Sequence, residues 1–220
     1  MLHFGIDIGT STVKLLVLDQ ESVVWSWEAV HYEQPAAAIQ EGLLEMKKGI
    51  SEPAFAVGFT GVHAQFFHQM LPDSGFLEDV PAIVEGTALL VPDAKSIIEI
   101  GSQGSRFITR LDQVPQFATN GHCAGGTGSF FEDQMSRVGC KLEDYSALVE
   151  QAQSIPRLSG RCAVFAKTDI IHRQQEGVST PDILLGLCYA MIHNYKATIV
   201  RRLPVCKPVV FCGGVTCNSG

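Results

Sequence analysis

DIGTSTVKLLVLD, residues 7–19, and EIGSQGSRFITRLD, residues 99–112, follow one plan: strand, acid, apolar residue, glycine, small hydroxyl, basic residue, strand. Asp7 corresponds to Glu99, Gly9 to Gly101, Thr10 to Ser102 and Lys14 to Arg106. An acid at a strand end can hold a hydrated Mg²⁺. The glycine lets backbone N–H groups approach phosphate oxygens, and the hydroxyls of Thr10, Ser11, Thr12 and Ser102 add donors. A single hairpin of this kind is an ordinary β-turn pattern. Two of them facing each other, followed by FCGGV at 211–215, would clamp a nucleotide polyphosphate.

The surrounding chain reads as mixed α/β with mostly short loops. Strands are expected at 2–8, 13–19 and 23–29, a helix opened by Pro35 and stopped by Gly49, and a buried strand at 54–59. A helix at 81–90 precedes the second strand pair, 96–100 and 106–111. Helices at 126–138, 168–176 and 181–201 lead to a closing strand, PVVFCGG. No low-complexity linker marks a boundary; the repeat itself divides the chain at about residues 94 and 95.

At 220 residues and 46% hydrophobic content the chain can bury a substantial core. A net charge of −7 without a Lys/Arg cluster argues against nucleic acid as a partner. No apolar run is read as approaching membrane-spanning length and no secretory leader is read at the start, so a cytoplasmic location without membrane contact is expected.

Seven cysteines, at 123, 140, 162, 188, 206, 212 and 217, include no C-x-x-C pair, so no self-contained zinc or ferredoxin-type motif is written. Cys123 stands directly before the glycine turn of NGHCAGGTGSFF (120–131). Such a turn can hold a phosphate, stabilise a thiolate ligand, or start a helix. Cys140 and Cys188 read as small core residues, and Cys206, Cys212 and Cys217 as packing around the last strand. HAQFFH (63–68) places its histidines five apart, which suits an aromatic core with solvated histidines better than zinc.

These elements resemble the actin, Hsp70 and sugar-kinase ATPase superfamily, with two ribonuclease-H-like subdomains; the resemblance implies nucleoside contacts from a late Gly-Gly turn, here Gly213 and Gly214. NGHCAGGTGSFFEDQM (120–135) and GRCAVFAKTDI (160–170) are, more closely, similar to the activator ATPases of 2-hydroxyacyl-CoA dehydratases and benzoyl-CoA reductases. That likeness implies ATP with Mg²⁺, a homodimer with one 4Fe-4S cluster at its interface, and a low-potential electron passed from ferredoxin or flavodoxin to a dehydratase or related reductase. It assigns the ligands to Cys123 and Cys162, two per subunit, so that a two-fold axis completes the four a cubane needs. Cys162 is expected to precede a helix opened by AKTD.

The family commonly carries DIGGQDSK in the second hairpin, where this chain reads EIGSQGSR (99–106). Glu99 keeps the carboxylate and Gln103 the water-orienting amide; Gly104 replaces an acid and Ser102 a glycine. Slow or absent hydrolysis is one expectation, which would make the chain a binding and dimerisation module. A small-molecule kinase is a further alternative, disfavoured by Gly104. Related domains continue beyond the Gly-Gly turn, so the chain ending at Gly220 is expected to be truncated.

Overall fold

A computed structural model describes residues 1–50, 55–121, 125–160 and 162–217. The chain forms two compact units, residues 1–92 and 93–220.

In the first unit, β1 (Leu2–Ile8), β2 (Thr12–Asp19) and β3 (Ser22–Val30) form an antiparallel meander. After α1 (Pro35–Gly49), β4 (Phe55–Thr60) returns parallel to β1. Helix α2 (Ala64–Met70), the short β5 (Gly75–Phe76) and α3 (Asp79–Leu90) complete the unit, and the sheet order is β3-β2-β1-β4-β5. Period-two alternation produces these strands: Phe4, Ile6 and Ile8 on β1 and Val13, Leu15 and Val17 on β2 are buried. On α1, which begins with Pro35, residues Ala38, Gly42 and Met46 form a buried stripe at four-residue spacing.

The second unit repeats that order. Strands β6 (Ser96–Ile100), β7 (Ser105–Thr109) and β8 (Gln116–Thr119) form another antiparallel meander, and β9 (Val209–Cys212) returns parallel to β6, giving β8-β7-β6-β9. Between β8 and β9 lie α4 (Gly128–Arg137), α5 (Tyr145–Val149), α6 (Ala163–Gln175) and α7 (Thr180–Tyr195), the last running into a π-helical turn, Lys196–Val200. Thr127 caps α4 by accepting from the Phe130 N–H, and Ser179 caps α7 by accepting from the Asp182 N–H. A core of Phe130, Phe131, Met135, Tyr145, Ile170, Leu184, Leu187 and Met191 joins these helices, with Cys140 and Cys188 packed against it.

Four expectations change. Helix α6 starts at Ala163, not near Thr168, because Ala166 and Ile170 bury one face of a continuous turn. The continuous helical run Thr180–Val200, 21 residues containing an 18-residue stretch of mean hydropathy 1.3, is long and apolar enough by length and composition to cross a bilayer, contrary to the reading that no run approaches that length. Ile183, Leu184, Leu187, Met191 and Ile199 on it are buried in the unit's cores, which accounts for its apolar character. HAQFFH is a short helix: His63 is exposed, but His68 is half-buried, bonded to Ser74 Oγ at 2.8 Å and stacked on Phe76. Cys217 is exposed, not packed.

Candidate functional site

Each unit builds the same turn from the same parts. Ile8 and Val13 close the base of the first turn, and Ile100 and Ser105 the base of the second; all are fully buried. The Gly9 N–H donates to the Thr12 carbonyl at 3.0 Å, and the Gly101 N–H to the Gly104 carbonyl at 2.8 Å. Gly9–Thr12 and Gly101–Ser102 are half-buried, while Gln103 is exposed.

The corresponding acids and bases lie directly opposite one another in the ladders, Asp7 against Lys14 and Glu99 against Arg106. Lys14 Nζ is 3.4 Å from Asp7 Oδ2 and donates to Thr12 Oγ1 at 3.0 Å. Arg106 Nη1 reaches both Glu99 oxygens, at 2.8 and 2.7 Å, with both side chains largely enclosed. The second pair is therefore the tighter. Burial raises the Asp7 carboxyl above its ordinary range despite the opposing pull of Lys14.

The parallel strands end beside these acids. Thr60 lies opposite Asp7 and Cys212 opposite Glu99. Gly61 (φ +101°) and Gly213 (φ +94°) follow in left-handed conformations, where a Cβ would come within 2.4 Å of the Ile8 carbonyl oxygen and 2.3 Å of that of Ile100. The Gly61 Cβ would also stand 2.7 Å from Asp7 Oδ1, so its absence keeps room around that carboxylate. Thr60 Oγ1 is buried without a partner among the described residues. Room at Asp7 and an orphaned hydroxyl on the facing residue fit a hydrated cation with phosphate oxygens. The Cys212 thiol is pushed up to about 11, by burial first and by the Glu99 charge second. Gly214, the other predicted nucleoside residue, meets open space.

Gly104 faces Arg106: a Cβ there would stand 3.3 Å from Nη1. Helix α4 is tied to the same turn, the Gly128 N–H donating to the Gly101 carbonyl at 2.9 Å and the Ser129 N–H to that of Ser102 at 2.8 Å.

Of the two predicted cluster ligands, Cys123 lies outside the described residues. Cys162 is a free, half-buried thiol at the N-cap of α6. Val164 and Phe165, which follow it, are exposed at 68% and 65%. The segment leading to it lies flush on α7: a Cβ on Gly160 would come within 2.1 Å of the Ala190 oxygen, and one on Gly186 within 2.4 Å of the Pro156 oxygen. Asp169 of α6 accepts from the Ser159 N–H at 2.8 Å. Among the described residues no group of three His, Cys, Asp or Glu side chains could hold a metal. A free, partly exposed cysteine at a helix N-cap is a residue that could offer its sulfur to a metal.

Sequence reasoning missed the residues that brace the turns. His31, one residue beyond β3, bonds to the first, and Asn120, one residue beyond β8, bonds to the second. Their signal was positional, since each follows the third strand of a repeat, but their types differ.

Two glycine turns, each with an acid, a cross-strand base and a parallel strand ending in a left-handed glycine, define the duplicated phosphate-hairpin class of actin-like ATPase folds. The chain belongs to the BadF/BadG/BcrA/BcrD ATPase family, which matches it over residues 4–220. It is 27% identical over 223 aligned positions to the activator of lactoyl-CoA dehydratase of Anaerotignum propionicum, covering 100% of this chain and 85% of that protein. Its fold matches component A of (R)-2-hydroxyglutaryl-CoA dehydratase of Acidaminococcus fermentans (TM-score 0.87, 23% identity, 99% of this chain, 85% of the other). It also matches the activator of 2-hydroxyisocaproyl-CoA dehydratase of Clostridium difficile with bound ADPNP (TM-score 0.85, 24% identity, 100% and 82%).

Proposed function

We propose that the chain is an ATP-driven electron-transfer activator of a 2-hydroxyacyl-CoA dehydratase or related reductase. The repeated turn with its cross-strand acid–base pair is the observation that carries the nucleotide part of this reading. The turns at Gly9–Thr12 and Gly101–Gln103 take phosphate oxygens through backbone N–H groups and hydroxyls. Asp7 and Glu99 would each offer a carboxylate to a hydrated Mg²⁺, whose charge would stabilise the phosphates, with Lys14 and Arg106 balancing the acids; Gln103 would orient the attacking water, and Gly213 and Gly214 would approach the nucleoside. The ADPNP bound to the Clostridium difficile activator supports the choice of ATP.

Cys162 and Cys123 are proposed as this chain's ligands to a 4Fe-4S cluster shared by a homodimer. Once bound, such a cluster supplies a one-electron couple of low potential. Cys162 stands at the N-cap of α6, and Val164 and Phe165 offer apolar surface beside it. We place this activity in the cytoplasm, with ferredoxin or flavodoxin as donor. The test is anaerobic purification with iron, sulfide and ATPase assays on the wild type, Cys123→Ser and Cys162→Ser. Both variants are expected to lose the cluster, and full iron occupancy in both would reject the assignment.

Gly104 favours a second reading, a module that binds nucleotide without turning it over, since it leaves no carboxylate where the resemblance implies an acid. Gly104→Asp separates the two. A wild type that binds ATP but leaves it intact, with hydrolysis rising roughly tenfold or more in the variant, would establish the non-hydrolysing reading.

A further inference from the structure

The first turn is gripped by a residue that the nucleotide reading does not use. His31 is 5% exposed and every polar group it has is engaged. Its N–H donates to the Ser11 carbonyl at 3.0 Å, continuing the β2–β3 ladder past the end of β3, and its own carbonyl accepts from the Gln34 N–H at 2.7 Å. The ring lies between Gly9 and Glu33: Nε2 is 3.1 Å from the Gly9 carbonyl oxygen and Nδ1 is 3.1 Å from the Glu33 backbone nitrogen. A backbone N–H can only donate, so Nδ1 is the acceptor, and Nε2 carries the hydrogen that it gives to Gly9. The bonds select the neutral Nε2–H tautomer.

The backbone bends sharply to seat this ring. Tyr32 (φ 44°) and Glu33 (φ 64°) are consecutive non-glycine residues in the left-handed region, a conformation that persists only where surrounding structure holds it. The His63 ring meets the His31 ring edge-on, 6.4 Å between centroids. The second unit braces its turn too, but from another position in the ladder, opposite Ser105. Asn120, one residue past β8, donates its N–H to the Ser105 carbonyl and accepts from the Ser105 N–H, both at 2.9 Å, while its Nδ2 donates to the Gln103 carbonyl at 3.0 Å. Both units thus brace a turn carbonyl from the residue that follows the third strand.

We infer that His31 is the positioning residue of the first phosphate turn. A trans peptide is planar, with its carbonyl and the next N–H pointing in opposite directions. Drawing the Gly9 carbonyl toward His31 therefore turns the Thr10 N–H the other way, as a preset donor to a phosphate oxygen. The inference rests on the nucleotide reading above and adds what holds the first turn in its binding shape. Without the ring N–H, the Gly9–Thr10 peptide is free to rotate and must be reordered each time an anion binds.

The test is calorimetric titration of the full chain with Mg²⁺ and the non-hydrolysable analogue AMPPNP, for wild type, His31→Phe and His31→Gln. Phe keeps the ring but loses the donor; Gln keeps an N–H near the position of Nε2. The Phe variant is expected to bind about tenfold more weakly, the size of one lost hydrogen bond, and the Gln variant within about threefold of wild type. A role confined to stability would lower the melting temperature and leave the affinity of the folded Phe variant unchanged, which would overturn the inference. Should the Phe variant not fold, ¹⁵N-histidine NMR of the wild type decides. The Nε2–H tautomer with an N–H signal that moves on adding Mg²⁺ and AMPPNP supports the role; a doubly protonated ring or a motionless signal overturns it. A wild type that takes no AMPPNP at all overturns the nucleotide reading instead.

Discussion

Asp7 is held where its charge is unwelcome, and the sign of that effect is measurable. Burial raises its folded-state pKa above the ordinary 3.8. Below 3.8 the carboxyl is protonated folded or unfolded, and nothing is lost. As pH rises from there, ionisation is easier in the unfolded chain, so stability falls until the folded group has also ionised. Asp7→Asn is expected to melt at or above the wild-type temperature, with a gap that opens upward from about pH 4 and then stays constant. Melting curves across pH, without nucleotide, check the sign; a gap that narrows as pH rises refutes it. Cys212 supplies a second residue-scale test. With its thiol pushed up to about 11, roughly one molecule in a thousand carries the thiolate at pH 8. Alkylation followed by mass spectrometry should find it slow, and faster in Glu99→Gln, where a nearby negative charge is gone.

At the scale of elements, Gly160 and Gly186 decide how closely the segment before Cys162 lies on α7. Gly160→Ala puts a methyl group into the Ala190 carbonyl and is expected to cost about 1–3 kcal/mol, read as a lower midpoint in denaturant with an unchanged slope. A stable variant would mean that the segment stands off the helix. The same scale shows what the sequence made legible. Alternation identified both hairpins, because Phe4, Ile6 and Ile8 against Asp7 is a pattern one face of a sheet imposes. The repeat matched acid with acid and base with base, but that each acid faces its own base across the hairpin came only from the structure. Helix α6 was harder: Val164 and Phe165 are exposed, so its first turn lacks the amphipathic signal, and the start was read five residues late. Strand β8 and helix α5 are short and were passed over. His31 escaped because one histidine after a strand has no local signature, and its partner Gly9 lies 22 residues away in sequence.

For the whole molecule, the cluster assignment makes a stoichiometric prediction. Two ligands per chain and four per cubane require half a cluster per chain, so anaerobic protein should hold about two irons and two sulfides per chain. Removing iron with a chelator should then halve the molecular mass in solution; a full cluster on a monomer refutes the shared arrangement. The bonds from Gly128 and Ser129 to the second turn carry a further consequence. Amide-to-carbonyl links of 2.9 and 2.8 Å have little slack, so a ligand that tugs Gly101 and Ser102 must tow the head of α4 with them. Helix α4 is then leashed to whatever occupies that turn, and a change of occupant would be felt along it as a pull.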